Sequence, residues 1–119
     1  MKENLLIEKS LWFSKEIIDI YRYLISQQQE QTISNQILRS ATSIGANINE
    51  ANYAQSKADF VSKLHIALKE TAETEYWIRL LAISEYIDSD MQNRLMHQCL
   101  EIKRMLIASI NTAKANSDF

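Results

Sequence analysis

Apolar residues recur every three or four positions in four long stretches of the chain, and short polar stretches separate them. Spacing of this kind places the apolar side chains on one face of an α-helix. The pattern predicts helices over about residues 4–26, 33–53, 57–86 and 90–113. Because connections of about two to six residues favour antiparallel neighbours, we expect an all-α, antiparallel up-down-up-down four-helix bundle. The bundle is expected to form a single domain over residues 1–119.

The first predicted helix carries two apolar stripes. Its first stripe comprises Ile7, Leu11, Ser14, Ile18, Tyr21 and Ile25, and its second comprises Leu6, Phe13, Ile17, Ile20 and Leu24. The two stripes lie about 100° apart around the helix axis. One stripe would suffice for a bundle with a single buried seam. We therefore expect this helix to be covered on two sides, by its own bundle and by another subunit.

The fourth predicted helix also has apolar residues on two faces. One face carries Met91, Leu95, Gln98, Ile102, Met105 and Ala113, and the other carries Met96, Leu100 and Ile107. Surplus apolar surface on two helices predicts contact between subunits. The candidate members of this subunit interface are Leu6, Phe13, Ile17, Leu24, Met96, Leu100 and Ile107.

The two middle helices each show one apolar face. In the second helix it comprises Ile33, Ile37, Ser40, Ile44, Ile48 and Ala51, and in the third Phe60, Leu64, Ala67, Thr71, Thr74, Ile78 and Leu81. Gly45 lies in the middle of the second helix, where glycine costs about 1 kcal/mol relative to alanine. A close contact with a neighbouring helix would offset this cost, so we predict close helix packing at Gly45.

Capping residues mark where three of the helices begin. Thr32 is suited to accept a backbone hydrogen bond at the start of the second helix. Ser56 with Asp59, and Ser89 with Gln92, have the spacing of capping boxes. These pairs predict the starts of the third and fourth helices.

The composition narrows the range of possible functions. One glycine and no proline exclude glycine-rich phosphate loops, dinucleotide-binding βαβ units and hairpin-rich barrels. Thirteen basic and fifteen acidic residues give a formal charge of -2, so no strong attraction to nucleic acid or to a membrane follows. The apolar runs are far shorter than the roughly twenty residues that span a bilayer. With a single cysteine and no apolar leader, the expected location is the cytoplasm.

Residue spacing gives no support for a metal site, a cofactor or a catalytic centre. Ser62 and Arg94 stand three residues before His65 and His97, where a di-iron bundle would carry glutamate. His97 and Cys99 point about 200° apart on a helix and cannot share a metal ion. Motifs of serine hydrolases and zinc proteases are absent. We therefore expect no enzyme activity, no metal and no cofactor.

A set of polar residues on the second and third helices is the candidate site. Its members are Arg39, Ser43, Asn47 and Glu50, with Glu70 and Glu73 on the third helix. They could line a groove for a ligand or a partner. Alternatively, they form a hydrogen-bond network between helices in which Arg39 meets a carboxylate and fixes the register. The second interpretation is favoured because nothing in the sequence marks a concave pocket.

Aromatic residues suggest a further possibility, since Trp12 with Tyr23 and Tyr76 with Trp77 could stack on bases. They are not interleaved with a basic cluster. Packing in the core or at a subunit interface is therefore the favoured interpretation.

Four segments carry a resemblance to a known family. They are RSATSIGANINE at residues 39–50, QSKADF at 55–60, KLHIALKE at 63–70 and ETEYW at 73–77. These segments resemble the bacterial four helix bundle protein family, also called the 23S rRNA-intervening sequence protein family. Its members were first noticed as products of intervening sequences in the large-subunit ribosomal RNA gene. The first helix fits the same family, so the resemblance covers nearly the whole chain.

The resemblance implies a four-helix protomer that assembles as a ring-like homopentamer. The fold is also similar to that of the accessory variability determinant of diversity-generating retroelements, a pentamer that binds nucleic acid and a reverse transcriptase. This chain departs from that pentamer in being mildly acidic. It also carries Lys69 and Glu70 where many members of the four helix bundle protein family have a Gly-Ser pair. No catalytic residue is carried over from the family.

Two functions from different classes follow. The first is a non-enzymatic, self-assembling interaction protein whose oligomer presents a surface to a protein or nucleic-acid partner. The alternative is an RNA- or DNA-binding accessory protein linked to ribosomal RNA intervening sequences or mobile elements. An enzymatic function would require Glu50, Glu70 or Glu73 to converge in a closed pocket.

Overall fold

The computed structural model describes residues 2–116, with side chains from residue 5 onward, and its helices form a four-helix bundle. The helices are α1 (Lys2–Gln27), α2 (Thr32–Ala51), α3 (Lys57–Ile83) and α4 (Ser89–Ala115). Each of α1 and α3 packs against both α2 and α4, whereas α1 and α3 share no contact within residues 2–116. They therefore occupy opposite corners of an elongated bundle of 50 × 21 × 20 Å. The predicted all-α four-helix fold is confirmed.

The apolar faces predicted for the middle helices form most of the core. All seven positions predicted for α3 are buried. In α2 the predicted face is buried except for Ile33, which is half-buried. In α4 the core side is centred on Cys99, Leu106 and Ile110 together with the predicted residues Leu95 and Ile102. Of the other predicted positions of that face, Ala113 is buried, while Met91, Gln98 and Met105 are half-buried at its edge.

The structure places the two apolar stripes of α1 differently from the interface prediction. Leu6, Phe13, Ile17 and Leu24, expected at a subunit interface, are at most 2% exposed and lie inside the protomer's own core. A residue buried within one chain has no surface to offer a second chain, so this part of the prediction is wrong. The first stripe faces outward instead, with Leu11 60% exposed.

Periodicity could not distinguish the two stripes, because both have helical spacing and both border charged residues. On a helical projection, Lys15 and Arg22 lie beside the first stripe, while Lys9 and Glu16 lie beside the second. The choice between them depends on which neighbours α1 meets in three dimensions.

Glu30, which precedes α2 by two residues, caps that helix. The backbone N–H groups of Ile33 and Ser34 donate to Glu30 Oε2 and Oε1 at N···O distances of 2.9 and 2.8 Å. The hydroxyl of Ser34 also donates to Glu30 Oε1, at 2.8 Å. The predicted cap, Thr32, lies inside the helix, and the N-cap residue Gln31 makes no side-chain capping bond. Backbone N–H groups of the first turn have no acceptor within the helix, and here a carboxylate from outside the helix accepts their hydrogen bonds.

The N-termini of α3 and α4 are capped by shorter side chains than that of Glu30. Ser56 Oγ accepts from the backbone N–H of Asp59 at 3.1 Å, as predicted. For α4, however, the cap is Asp88, whose Oδ1 accepts from the N–H of Met91 at 2.9 Å. The predicted cap Ser89 is the first helical residue, so that boundary was one residue late.

Two turns use left-handed residues that are not glycine. Gln29 and Glu85 have φ angles of 54° and 66°. After α1 the N–H of Glu30 bonds to the carbonyl of Leu24, and after α3 the N–H of Tyr86 bonds to the carbonyl of Leu81, at 3.0 and 2.9 Å. The bond from Tyr86 to Leu81 is the long bond of a Schellman motif, in which glycine is the usual left-handed residue. The bond from Glu30 to Leu24 spans one residue more. The single glycine of the chain lies in a helix, so both turns use residues with side chains at the left-handed position. The α3 helix ends at Ile83, and not near residue 86 as predicted.

Candidate interaction surface

Four residues of the α2 and α3 helices form a charged cluster on one side of the bundle. Arg39 pairs through its NH2 nitrogen with Glu73, and through NH1 with Glu70 at 3.5 Å. The indole N–H of Trp77 donates to the same Glu73 Oε2 at 3.0 Å. The predicted network between helices thus forms around Arg39.

The electrostatics of this cluster follow from its hydrogen bonds. The bond from Trp77, and then the bond from Arg39, lower the pKa of Glu73 below its ordinary value. The same contact with Glu73 raises the pKa of Arg39. Arg39 and Glu73 are both held in their charged forms, which suits a structural ion pair.

The other members of the predicted set do not join this cluster. Asn47 donates to the carbonyl and the hydroxyl of Ser43 at 2.9 and 3.2 Å, one turn away on the same helix. Glu50 pairs with Lys63 of α3 at 3.3 Å. The six candidate residues therefore divide into a cluster around Arg39, a local bond within α2 and a separate ion pair.

The side of the bundle formed by α1 and α4 is also polar. Lys9 pairs with Glu101 at 3.1 Å, and Arg94 pairs with Glu16 at 2.9 Å. A groove of about 280 Å³ lies between the two helices, and Gln98 lines it. The Gln98 Oε1 atom is buried and has no hydrogen-bond partner among the described residues.

The side formed by α1 and α2, which we call the α1–α2 face, has a different character. Its members are Ile7, Ser10, Leu11, Ser14, Ile18, Tyr21 and Ile25 of α1, with Leu38, Thr42, Gly45, Ala46 and Asn49 of α2. No member is charged, and no ion pair among residues 5–116 joins α1 to α2. A groove of about 270 Å³ runs along this face, and its floor consists of small side chains.

Gly45 forms part of that floor. A Cβ atom at this position would lie 3.5 Å from the hydroxyl oxygens of Ser10 and Ser14 and 3.6 Å from the carbonyl of Ser10. These are ordinary van der Waals distances. The structure therefore places α1 directly over Gly45, as expected, but at a separation that also admits alanine.

The opposite side, which we call the α3–α4 face, carries both apolar and charged side chains. Lys103 of α4 pairs with Glu75 of α3 at 3.2 Å, which identifies this side of both helices. Residues three, four or seven positions from these two lie on the same side. By that rule the α3–α4 face contains Leu68, Ala72, Met96, Leu100 and Ile107, together with the exposed Arg79.

The α4 part of the predicted interface therefore differs from the α1 part. Met96 and Leu100 are half-buried, and Ile107 is 41% exposed. All three can still be reached by a second molecule, and their role at an interface stays a prediction. Leu11 and Ile18, which lie on the α1–α2 face, are not among the residues predicted at an interface.

The remaining reactive side chain is internal. Cys99 is fully buried, and burial raises the pKa of its thiol to about 12. Its Sγ lies 3.6 Å from the carbonyl oxygen of Thr71.

Within the described residues, no three His, Cys, Asp or Glu side chains are placed to hold a metal ion. None of the helices in residues 2–116 has the length and apolar character needed to cross a membrane.

The fold and these surfaces define a helical bundle in which ion pairs link the helices on three sides, while the α1–α2 face carries none among residues 5–116. The chain belongs to the 23S rRNA-intervening sequence protein family, whose sequence profile matches residues 2–108. It is similar to a protein of unknown function from the S23 ribosomal protein family of Bacteroides thetaiotaomicron VPI-5482, with 50% sequence identity and a TM-score of 0.92. The match covers 93% of this chain and 99% of that chain. Comparison with the curated proteins finds no match.

Proposed function

We propose that this protein is a non-enzymatic interaction module that associates with further copies of itself through the α1–α2 face. The observation that carries the proposal is the outward position of Leu11, 60% exposed, on a surface without charge. The resemblance to the four helix bundle protein family supports a homopentamer as the assembled form.

The composition of the α1–α2 face favours association. Its outer stripe repeats at alternating steps of four and three residues from Ile7 to Ile25, which is the spacing of a coiled-coil seam. Full burial of one leucine or isoleucine side chain contributes about 1.5–3 kcal/mol. Several such residues along one helix give a partner enough apolar surface to offset the entropy lost on binding.

A second copy is the occupant that the chain's own surfaces favour. One long side of a bundle measuring 50 × 21 × 20 Å presents roughly 1,000 Å² in projection, and a stable interface buries about 800 Å² on each partner. A partner must also bring apolar, uncharged surface. A second copy of the chain can supply such a surface with its own α1–α2 face, none of whose members is charged.

The polar residues support a structural role rather than catalysis. Glu50 pairs with Lys63, whereas Glu70 and Glu73 pair with Arg39. Two of the carboxylates therefore share the Arg39 guanidinium, and the third lies apart from them with Lys63. This distribution favours fixed helix register over acid–base chemistry.

Light scattering on purified protein tests the proposal. We expect the wild-type protein to exceed the 13.8 kDa mass of one chain at micromolar concentration, and Leu11→Glu to be monomeric. Ile66→Glu is the matched control, because Ile66 is an exposed apolar residue that lies four positions before Glu70, on the charged α2–α3 side. A monomeric wild-type protein, or a Leu11→Glu variant of unchanged mass, would contradict the proposal.

Binding of RNA or DNA is the second candidate function, and one observation favours it. Lys69, Tyr76 and Arg79 are exposed along the outer side of α3, and neither cation has an ion-pair partner among the described residues. Tyr76 is 58% exposed and lies between two positive charges, which suits stacking on a base.

Filter binding to single-stranded RNA and DNA tests this second function. We expect affinity to fall as salt rises, and to be lost in the Lys69→Gln, Arg79→Gln double variant. A double variant of Arg22 and Arg104, two exposed arginines on α1 and α4, serves as the charge-matched control. Equal losses in both double variants would show general attraction to charge and no site on α3.

A further inference from the structure

The outer side of α3 carries a line of exposed side chains, which we call the α3 outer surface. Its members are Lys69, Ala72, Tyr76, Arg79 and Ile83. All five are exposed, Ile83 to 78% and Tyr76 to 58%. They follow one another at alternating steps of three and four residues, which is the spacing of a coiled-coil seam. A second helix can therefore pack along this line.

Tyr76 lies at the centre of the α3 outer surface, and a neighbouring ring holds it in place. The rings of Tyr76 and Trp77 meet edge to face, with centroids 5.0 Å apart and an interplanar angle of 70°. Trp77 is half-buried and donates its indole N–H to Glu73, which also pairs with Arg39. A tyrosine ring that is already fixed loses little conformational freedom on binding, as an anchor residue requires.

The free charges of the α3 outer surface are positive. The three acidic residues of α3 between positions 62 and 83 all form ion pairs with neighbouring helices. Lys69 and Arg79 have no ion-pair partner among residues 5–116. This part of the chain therefore attracts anionic groups, although the whole chain has a formal charge of -2.

We propose that the α3 outer surface is the docking site for an acidic, amphipathic helix of a partner protein. Apolar side chains of that helix pack on Tyr76 and Ile83, and its carboxylates lie beside Lys69 and Arg79. The surface is separate from the α1–α2 face, because α3 occupies the corner of the bundle diagonal to α1. Docking at this surface goes beyond self-association and does not depend on it.

The apolar members of the surface favour a protein partner over RNA or DNA. A nucleic acid would also be attracted to Lys69 and Arg79, and its bases would stack on Tyr76. Ile83, however, is the most exposed of the large apolar side chains in residues 5–116. An amphipathic helix covers Ile83 with apolar groups, whereas a phosphodiester backbone would leave it in water.

The dimensions of the surface predict a weak and reversible contact. From Lys69 to Ile83 it runs about 21 Å along the helix axis, which corresponds to about four turns of a partner helix. A contact of this size falls in the class of small, transient interfaces. We therefore expect micromolar affinity.

Fluorescence anisotropy with designed peptides tests the proposal. The acidic probe is a labelled helical peptide of about three heptads, with leucine and alanine on one face and glutamate on both flanks. A basic probe carries lysine in place of each glutamate. Both are titrated with the wild-type protein and with the Lys69→Glu, Arg79→Glu double variant. The control is the Arg22→Glu, Arg104→Glu double variant, which makes the same charge change at exposed positions of α1 and α4.

Reversing the charges should reverse the preference for the probes. We expect the acidic peptide to bind the wild-type protein saturably and to lose at least about tenfold in affinity for the Lys69→Glu, Arg79→Glu variant. The basic peptide should prefer that variant over the wild type. The control variant should keep the wild-type affinity for the acidic peptide. Circular dichroism verifies folding, and glutamine replaces glutamate at positions 69 and 79 if the double variant does not fold.

A tyrosine substitution separates docking from general attraction of charge. Tyr76→Ala should weaken binding of the acidic peptide at least about tenfold, as expected for an anchor residue. The matched control is Tyr53→Ala, which removes another exposed tyrosine, located after α2. This control should bind the acidic peptide as the wild type does.

Three results would overturn the proposal. They are the absence of saturable binding by the acidic peptide, equal losses in the two double variants, and equal losses in Tyr76→Ala and Tyr53→Ala. A single-stranded RNA oligonucleotide is the third probe. If RNA binds through Lys69 and Arg79 while the acidic peptide does not, the surface serves the nucleic-acid function and helix docking is excluded. The mass of the protein is measured separately, so a failure of self-association is distinguished from a failure of docking.

Discussion

The hydroxyl oxygens of Ser40 in α2 and Thr74 in α3 lie 2.8 Å apart, and neither residue has any surface exposed to solvent. Thr74 Oγ1 also donates to the carbonyl of Glu70 at 2.8 Å. Ser40 must therefore be the donor in the shared bond, and Thr74 the acceptor. This buried pair links α2 to α3 inside the bundle, next to the cluster around Arg39.

Removal of either hydroxyl should destabilise the bundle, and removal of both should cost less than the sum. We expect Ser40→Ala and Thr74→Val each to lower the free energy of unfolding by about 1 kcal/mol. The double variant loses one shared bond, not two. Urea denaturation of all four proteins at one protein concentration measures the coupling, and strict additivity would show that the bond contributes nothing.

Glycine at a left-handed turn position should stabilise the protein. Glu85 has a φ of 66°, which costs an L-residue about 1 kcal/mol or more. We expect Glu85→Gly to raise the free energy of unfolding by up to about 1 kcal/mol. The matched control is Ser84→Gly, because Ser84 has a φ of -82° and gains nothing from glycine. A lower thermal midpoint for Glu85→Gly than for Ser84→Gly would contradict this prediction.

The cap formed by Glu30 should make stability depend on pH. Desolvation by burial would raise the pKa of Glu30, but hydrogen bonds from Ile33 and Ser34 outweigh it and lower the pKa below 4.5. A carboxyl whose pKa is lowered on folding stabilises the protein above its unfolded pKa, and this contribution disappears as the pH falls through the folded pKa.

Glu30→Gln keeps the shape of the side chain and removes its charge. At pH 7 we expect this variant to be less stable than the wild type by about 1 kcal/mol, as for the loss of a helix cap. The difference should shrink as the pH falls below 4.5 and through the lowered pKa of the folded carboxyl, because the wild-type side chain then takes up a proton. Guanidinium melts across this pH range provide the measurement, and a difference that stays constant would exclude a role for the charge.

Gly45→Ala should raise stability. The added methyl group would meet Ser10 and Ser14 at ordinary contact distances of 3.5 Å, and alanine is favoured over glycine within a helix by about 1 kcal/mol. A gain of this size shifts the thermal midpoint of a domain of this length upward by about 4–8 °C. A lower midpoint would mean that α1 cannot accommodate the methyl group.

The sequence predicted the fold well because bundle formation depends mainly on periodicity. The α3 face was predicted residue for residue, since its seven core positions have unbroken spacing and α3 packs against both α2 and α4. The ends of the helices were predicted less accurately than their buried faces. The cap at Glu30 lies outside the predicted helix, and the turn at Glu85 uses a residue type that gives no turn signal.

The candidate surfaces were harder to predict. Arg39 was correctly expected to meet a carboxylate, because its position beside the apolar face of α2 directs it toward α3. Whether Leu11 or Phe13 faces the core depends on the rotation of α1 about its own axis. Both positions have the same spacing pattern, so the choice became visible only when the packing of α1 against α2 and α4 was known.

Sedimentation equilibrium of the wild-type protein tests the central claim most directly, which is that the α1–α2 face is covered by another copy of the chain. We predict a mass that is a multiple of 13.8 kDa and that remains assembled at micromolar concentration, with five chains as the expected number. A single-chain mass across the same concentrations, with the helical content unchanged, would contradict the account.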